Sequence, residues 1–251
     1  MAWEKFVACA DTHGYLEDSE VVNTFLSFVD DYKPDYKFHL GDLFDFTALR
    51  KGIINKADPD AQGDLWKDQQ AAYDFLDRYR PDVITLGNHD ARLWRMAGEY
   101  DATKRELARY MILEFEGILK EIGCSYLPYH IKKGVFELGE LKMAHGFHCN
   151  QNSTKQHAAE YGGMFMFGHT HRAEIRKAKR NDDSIGYNIG CLCDYERMSY
   201  CSQRTATHEW RHAWAYGVVN NVSGKAHVWL AEKTEDEKWL LPTEIKAYGK
   251  P

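Results

Sequence analysis

An α/β fold is the prediction for this 251-residue chain, and three observations carry it. Strand-like apolar runs alternate with helix-patterned segments through the first half, as parallel sheets require, while the second half is mostly β. With 44% hydrophobic and 14% aromatic residues the chain has material for a large core and does not read as disordered. Short clusters rich in His and Asp follow directly after several apolar runs, and an α/β sheet gathers its ligands at the carboxyl ends of its strands.

Taken in order, Phe6–Ala10 is a short apolar run that ends at Asp11. Val21–Tyr32 has helical spacing, with Val22, Phe25, Leu26 and Val29 on one face. Tyr36–Leu40 reads as a strand ending at Gly41-Asp42, and Trp66–Tyr79 as a helix. Val83–Leu86 is a buried strand ending at Gly87-Asn88-His89-Asp90, and a long helical pattern covers Ala102–Ile122. Strand candidates follow at Val135–Leu138, Leu141–Ala144, Met164–Phe167, Ile185–Ile189, Ala213–Val219 and Lys225–Leu230. Arg50–Gly63 reads as a long loop, of a size that often carries function. No repeat and no linker divides the chain, so residues 1–251 are expected to form one domain.

The net charge of -6 argues against a long nucleic-acid groove. The opening residues Met1–Ala8 leave no room for a signal peptide before the first strand, and no apolar stretch approaches membrane-spanning length. Six scattered cysteines are too few to staple a domain of this size. A cytoplasmic protein without membrane partners is the expectation.

The polar clusters are Asp11-Thr12-His13-Gly14, Gly41-Asp42-Leu43-Phe44-Asp45, Gly87-Asn88-His89-Asp90, His145-Gly146 and Gly168-His169-Thr170-His171. Residues two apart on an extended segment point the same way, so Asp11 with His13, and His169 with His171, are each expected to supply two ligands. Imidazoles mixed with carboxylates suit manganese, iron, zinc or cobalt better than calcium.

These clusters resemble, in order, the five signature motifs of the calcineurin-like metallophosphoesterases: D-x-H, G-D-x-x-D, G-N-H-[DE], H-G and G-H-x-H. Any one motif is weak, but the ordered set, spread over residues 11–171, is specific. The resemblance implies an αββα sandwich of two mixed sheets and hydrolysis of a phosphate ester. It implies two divalent transition metals, manganese first, with Fe, Zn, Co or Ni as alternatives. Asp11, His13, Asp42 and His171 would hold one, and Asp42, Asn88, His145 and His169 the other. His89 resembles the histidine that stabilises the transition state or protonates the leaving oxygen, and Asp45 the carboxylate that orients it. The chemistry is coherent, because two cations can clamp the attacking and leaving oxygens of an in-line displacement.

Two further residues are candidates for substrate contact: Arg92, through its planar fork, and His148, three residues after His145. His39, His130, His157 and His227 match no motif and are expected to be structural or exposed. The basic stretch Arg172–Arg180 reads as a solvated strand or turn, with a rim for polyanionic substrate as the alternative. Cys191, Cys193, Cys201, His208 and His212 raise a structural zinc, but C-x-C is tighter than the usual spacing, and a packing role is favoured. Asp45 is followed by Phe46-Thr47 rather than the D-R-G continuation of protein serine/threonine phosphatases. Only 80 residues follow His171, leaving little for the DNA-capping domain of the double-strand-break repair nucleases. The chain more closely resembles compact phage-type and bacterial phosphoesterases. A nuclease acting on DNA or RNA ends, and a protein-binding scaffold such as the retromer subunit of this fold, are the rival readings.

Overall fold

The computed structural model describes residues 3–50, 63–178, 183–198, 208–233, 238, 239 and 241. Most of the expected Arg50–Gly63 loop, and Cys201, lie outside the described residues. In chain order the elements are β1 (Trp3–Cys9), α1 (Ser19–Tyr32), β2 (Tyr36–His39), α2 (Leu65–Tyr79), β3 (Val83–Thr85), α3 (Ala91–Met96), α4 (Ala102–Ile122) and β4 (Ser125–Leu127). They continue with β5 (Phe136–Leu138), β6 (Leu141–Met143), α5 (Ser153–Tyr161), β7 (Met164–Phe167), β8 (Ala173–Lys177), β9 (Ile185–Ile189), β10 (Ala213–Asn220) and β11 (Ala226–Glu232).

Two mixed sheets result, ordered β11-β10-β1-β2-β3-β4 and β5-β6-β7-β9-β8. In the first, β1 to β4 run parallel, β10 pairs antiparallel with β1, and β11 antiparallel with β10. In the second, β6, β7 and β9 are parallel and β5 and β8 antiparallel at the edges. β1 shows why its run is continuously apolar: both faces are covered. Val7 and Cys9 turn toward α1, α2 and α4, packing with Phe25, Phe75, Leu76 and Phe115. Phe6 and Ala8 turn the other way and meet Met143, Met166 and Ile189 of the second sheet. Beyond that sheet, His157 of α5 stacks on Phe165 and packs tilted against Phe167. The layers are therefore helix, sheet, sheet, helix, the αββα sandwich.

Helix ends follow from sequence. Asp18 caps α1 by accepting from the Glu20 and Val21 amides, and Asp64 and Asp101 do the same for α2 and α4. β1 begins earlier than its apolar run because Trp3, Glu4 and Lys5 pair with β10. α3, α5 and β4 were not foreseen. β4 has only three residues, and α5 (Ser-Thr-Lys-Gln-His) buries polar groups rather than an apolar stripe. Among the described residues no helix is long and apolar enough to cross a membrane.

The core's largest buried side chain is Trp214, in contact with Phe25, Phe28 and Trp239. Trp214→Ala is expected to lower stability by about 3–5 kcal/mol, read as a lower urea midpoint at unchanged slope. A loss below about 1 kcal/mol would show that the site collapses freely, against this packing.

Candidate metal centre

β1, β2 and β3 are parallel and in register, so the residues after them leave the sheet at one edge. β6 and β7 do the same in the facing sheet. All five clusters therefore arrive in one corner between the sheets. The aim of the side chains comes from the backbone: Asp11 (φ 56), His13 (φ 54), Asp42 (φ 49), His169 (φ 70) and His171 (φ 57) are all left-handed. Non-glycine residues rarely adopt this conformation, and it concentrates at functional sites. The extended spacing expected to pair Asp11 with His13, and His169 with His171, is thus corrected. The strands stop at Cys9 and Phe167, and sharp turns direct the ligands instead. Gly87 is obligatory for another reason, since a Cβ there would stand 2.1 Å from Asp42 Oδ1.

Donor atoms converge in two groups. Around His145 Nε2 lie Asn88 Oδ1 at 3.1 Å, Asp42 Oδ2 at 3.2 Å and His169 Nδ1 at 3.2 Å. In the other, His171 Nε2 lies 3.2 Å from both Asp11 Oδ1 and His13 Nε2. His13 Nε2 is 3.8 Å from Asp11 Oδ1 and 3.9 Å from Asp42 Oδ2. Asp42 Oδ2 is common to both groups.

These atoms ask for cations. His145 Nδ1 donates to the Leu40 carbonyl at 2.8 Å and His13 Nδ1 to Asp45 Oδ1 at 2.9 Å, so each imidazole turns its Nε2 inward. Asp11 Oδ1 is buried without a hydrogen-bond partner among the described residues, a costly state unless a positive charge faces it. Burial alone would raise the Asp11 and Asp42 carboxyls, but His171 beside the first and His145 beside the second hold both well below the usual range. Burial would lower His145, yet Asp42 pushes it up to about 9. Burial, with His145 as neighbour, lowers His169 to about 3 and keeps it neutral, as a ligand must be. Groupings such as Asp42, His145 and His169 bring enough donors together to hold a metal ion.

His89 sits beside this corner, its ring edge-on to His13 with centroids 4.7 Å apart. His89 Nδ1 faces the Asp45 carbonyl at 2.8 Å and Asp45 Oδ1 at 3.1 Å, while Arg92 approaches His89 Nε2 at 3.2 Å. Arg92 also donates to the Asp45 and Phe46 carbonyls. Asp45 thus touches both His13 and His89. His148 does not join them: its Nε2 pairs with Glu160 of α5 at 2.8 Å.

The sequence gives no signal for Asp68, names Asp90 only as a motif residue and offers Cys193 only as a packing or zinc candidate. Asp90 accepts from the Phe44 and Gly87 amides, and Asp68 from the Asp45 and Phe46 amides. Burial pushes these carboxyls up, Asp90 to about 6 and Asp68 to about 7, with Asp42 and Asp45 respectively adding to it. Cys193 Sγ lies 3.9 Å from His171 Nδ1. It groups with His13 and His171 rather than with His208 and His212, and His212 Nε2 is spent on the Cys193 carbonyl at 3.0 Å. His39, buried against Thr12, and His157, tied to Ser153 and Phe147, are internal, and neither they, His130 nor His227 belongs to either donor group. Arg172 is an internal tie as well, held by Asn150, Gln151, Ser153 and Glu209, and Arg176 pairs with Glu174.

Comparison with known proteins agrees with the fold. The Gene 54 protein of Mycobacterium phage D29 is 25% identical over 185 residues, covering 69% of this chain and 71% of the phage protein. The Gene 54 protein of Mycobacterium phage L5 is 24% identical over 245 residues, covering 86% and 89%. Chaetomium thermophilum Vps29 superposes with a TM-score of 0.52 at 11% identity over 94% of this chain and 95% of its own, a likeness of fold. The calcineurin-like phosphoesterase model matches residues 4–173, a span that contains every cluster described above, and the chain belongs to that family.

Proposed function

We propose that this protein hydrolyses a phosphomonoester or phosphodiester at a pair of divalent transition metals, manganese foremost. One arrangement supports the reading above all: two sets of inward-facing donors that share Asp42 Oδ2. Asp11, His13, Asp42 and His171 would hold one ion, and Asp42, Asn88, His145 and His169 the other. When bound, such ions supply Lewis-acid stabilisation of the phosphoryl oxygens and a water acidic enough to attack near neutral pH. The protein's own groups do the rest. Asp45 fixes the ring of His89, whose Nε2 meets Arg92 at 3.2 Å; a phosphate oxygen entering between them would take a contact from each. The complete donor set, with His89 beside it, favours catalysis over a scaffold.

The test is a manganese-supplemented panel of a chromogenic monoester, a chromogenic diester, cyclic nucleotides and single-stranded DNA. Hydrolysis of at least one ester, abolished by chelation, is expected. Two tightly bound metals with no hydrolysis across the panel would overturn the reading in favour of a scaffold. Cleavage of DNA alone would identify a nuclease.

Asn88 gives a neutral oxygen where an aspartate would add charge. Two dications against Asp11 and Asp42 leave a formal +2, and Asn88→Asp would reduce it to +1 while keeping a ligating oxygen. At roughly 4 Å and an effective dielectric near 20, a unit charge is worth about 4 kcal/mol to an approaching phosphate. Solvent and relaxation reduce that, so kcat/KM is expected to fall by roughly 10–10³-fold. Full activity at full metal content, measured on the same sample, would show that neutrality is not the reason for asparagine.

A further inference from the structure

The segment that carries Asp45 leaves β2 in an irregular path, with Asp42 (φ 49) and Phe46 (φ 47) both left-handed. The Phe44, Asp45 and Phe46 amides therefore have no strand or helix partner. Two buried carboxylates take all three: Asp90 accepts from Phe44 at 2.9 Å, and Asp68 accepts from Asp45 at 3.2 Å and Phe46 at 2.5 Å. Asp90 belongs to the third cluster; Asp68 belongs to none. It projects from the first turn of α2 and is 1% exposed. It reaches its place through a gap left by Gly14, where a Cβ would stand 1.7 Å from Asp68 Oδ1. Each amide uses a different oxygen of Asp68, an arrangement that asparagine cannot reproduce, because its NH₂ would face one of the N–H groups.

We propose that Asp68 is a positioning residue for phosphate-ester hydrolysis, acting through the backbone of Asp45 and Phe46 to hold the Asp45 carboxylate against His13 and His89. This rests on the functional reading above. Asp45 Oδ1 lies 2.9 Å from His13 Nδ1 and 3.1 Å from His89 Nδ1, so a small rotation of the segment disturbs an imidazole of the donor set and the leaving-group histidine together. Such supporting partners typically matter by 10–100-fold.

The experiment compares Asp68→Asn with wild type in the full chain, using phenyl phosphate and p-nitrophenyl phosphate with manganese, or the corresponding diesters if the panel selects them. Asp68→Asn is expected to bind both metals and lose about 10–100-fold in kcat for the phenyl ester and clearly less for the nitrophenyl ester. The ratio between two esters in one preparation does not depend on the fraction of active protein, so a merely structural defect leaves it unchanged. In zinc-loaded protein the downfield Nδ1–H resonances of His13 and His89 should also shift or broaden. An unchanged ester ratio together with unchanged resonances overturns the proposal. If Asp68→Asn fails to fold, wild-type amide exchange decides: slow exchange at Asp45 and Phe46 supports Asp68 as their acceptor, and fast exchange overturns it. A wild-type protein that binds metals but hydrolyses no ester overturns the functional reading instead, while the resonances and exchange still report on Asp68.

Discussion

Replacing Asp42 by alanine is expected to lower kcat by about 10⁴-fold or more, equivalent to roughly 5–6 kcal/mol of lost transition-state stabilisation. Asp42 Oδ2 lies within reach of both donor groups, 3.2 Å from His145 Nε2 and 3.9 Å from His13 Nε2. Its removal takes a negative charge from between two cation positions and leaves their mutual repulsion undiminished. The other oxygen, Oδ1, accepts the His89 amide at 2.8 Å, so the same substitution also loosens the backbone that presents His89. Metal content and turnover measured on one sample check the prediction. Fewer than two metals per chain and near-zero turnover are expected. Two retained metals with activity within about tenfold of wild type would remove Asp42 from the shared position.

His89→Ala separates chemistry from metal binding. His89 lies beside the donor atoms, but its Nδ1 is engaged by Asp45, so both metals are expected to remain. Turnover should fall by about 10²–10⁴-fold, the usual range for a positioned acid–base group. The loss should shrink for esters whose leaving group needs little protonation. Arg92 approaches Nε2 at 3.2 Å, close enough for both groups to act on the same phosphate oxygen. An equal loss across leaving groups would therefore assign His89 to electrostatic stabilisation, shared with Arg92, rather than to proton donation. Unimpaired turnover would exclude it from the chemistry.

Much of this architecture is local information. Phe6–Ala10, Tyr36–Leu40 and Val83–Leu86 are legible because a strand covered on both faces must be apolar without interruption, and Asp11, Asp42 and Asn88 stand out as polar residues directly after such strands. The chemical type of the donors is also written in the residues, since imidazoles, carboxylates and one amide are what they are in any conformation. The short helices and β4 were not legible, because their stability comes from what they pack on rather than from their own pattern.

What the sequence by itself determined is therefore the alternation of elements, the kind of cation-binding groups and their order along the chain. Only the tertiary structure decided how they are aimed. Left-handed backbone at Asp11, His13, Asp42, His169 and His171 turns the side chains inward, which no two-residue spacing shows. His148 is drawn to Glu160 on a helix that the pattern did not reveal, and Asp68 accepts from two amides more than twenty residues earlier that have no other acceptor among the described residues. The physical reason is the same in each case: a donor, an acceptor or a charge acquires its role from partners the fold brings to within about 3 Å, and those partners are distant in the chain.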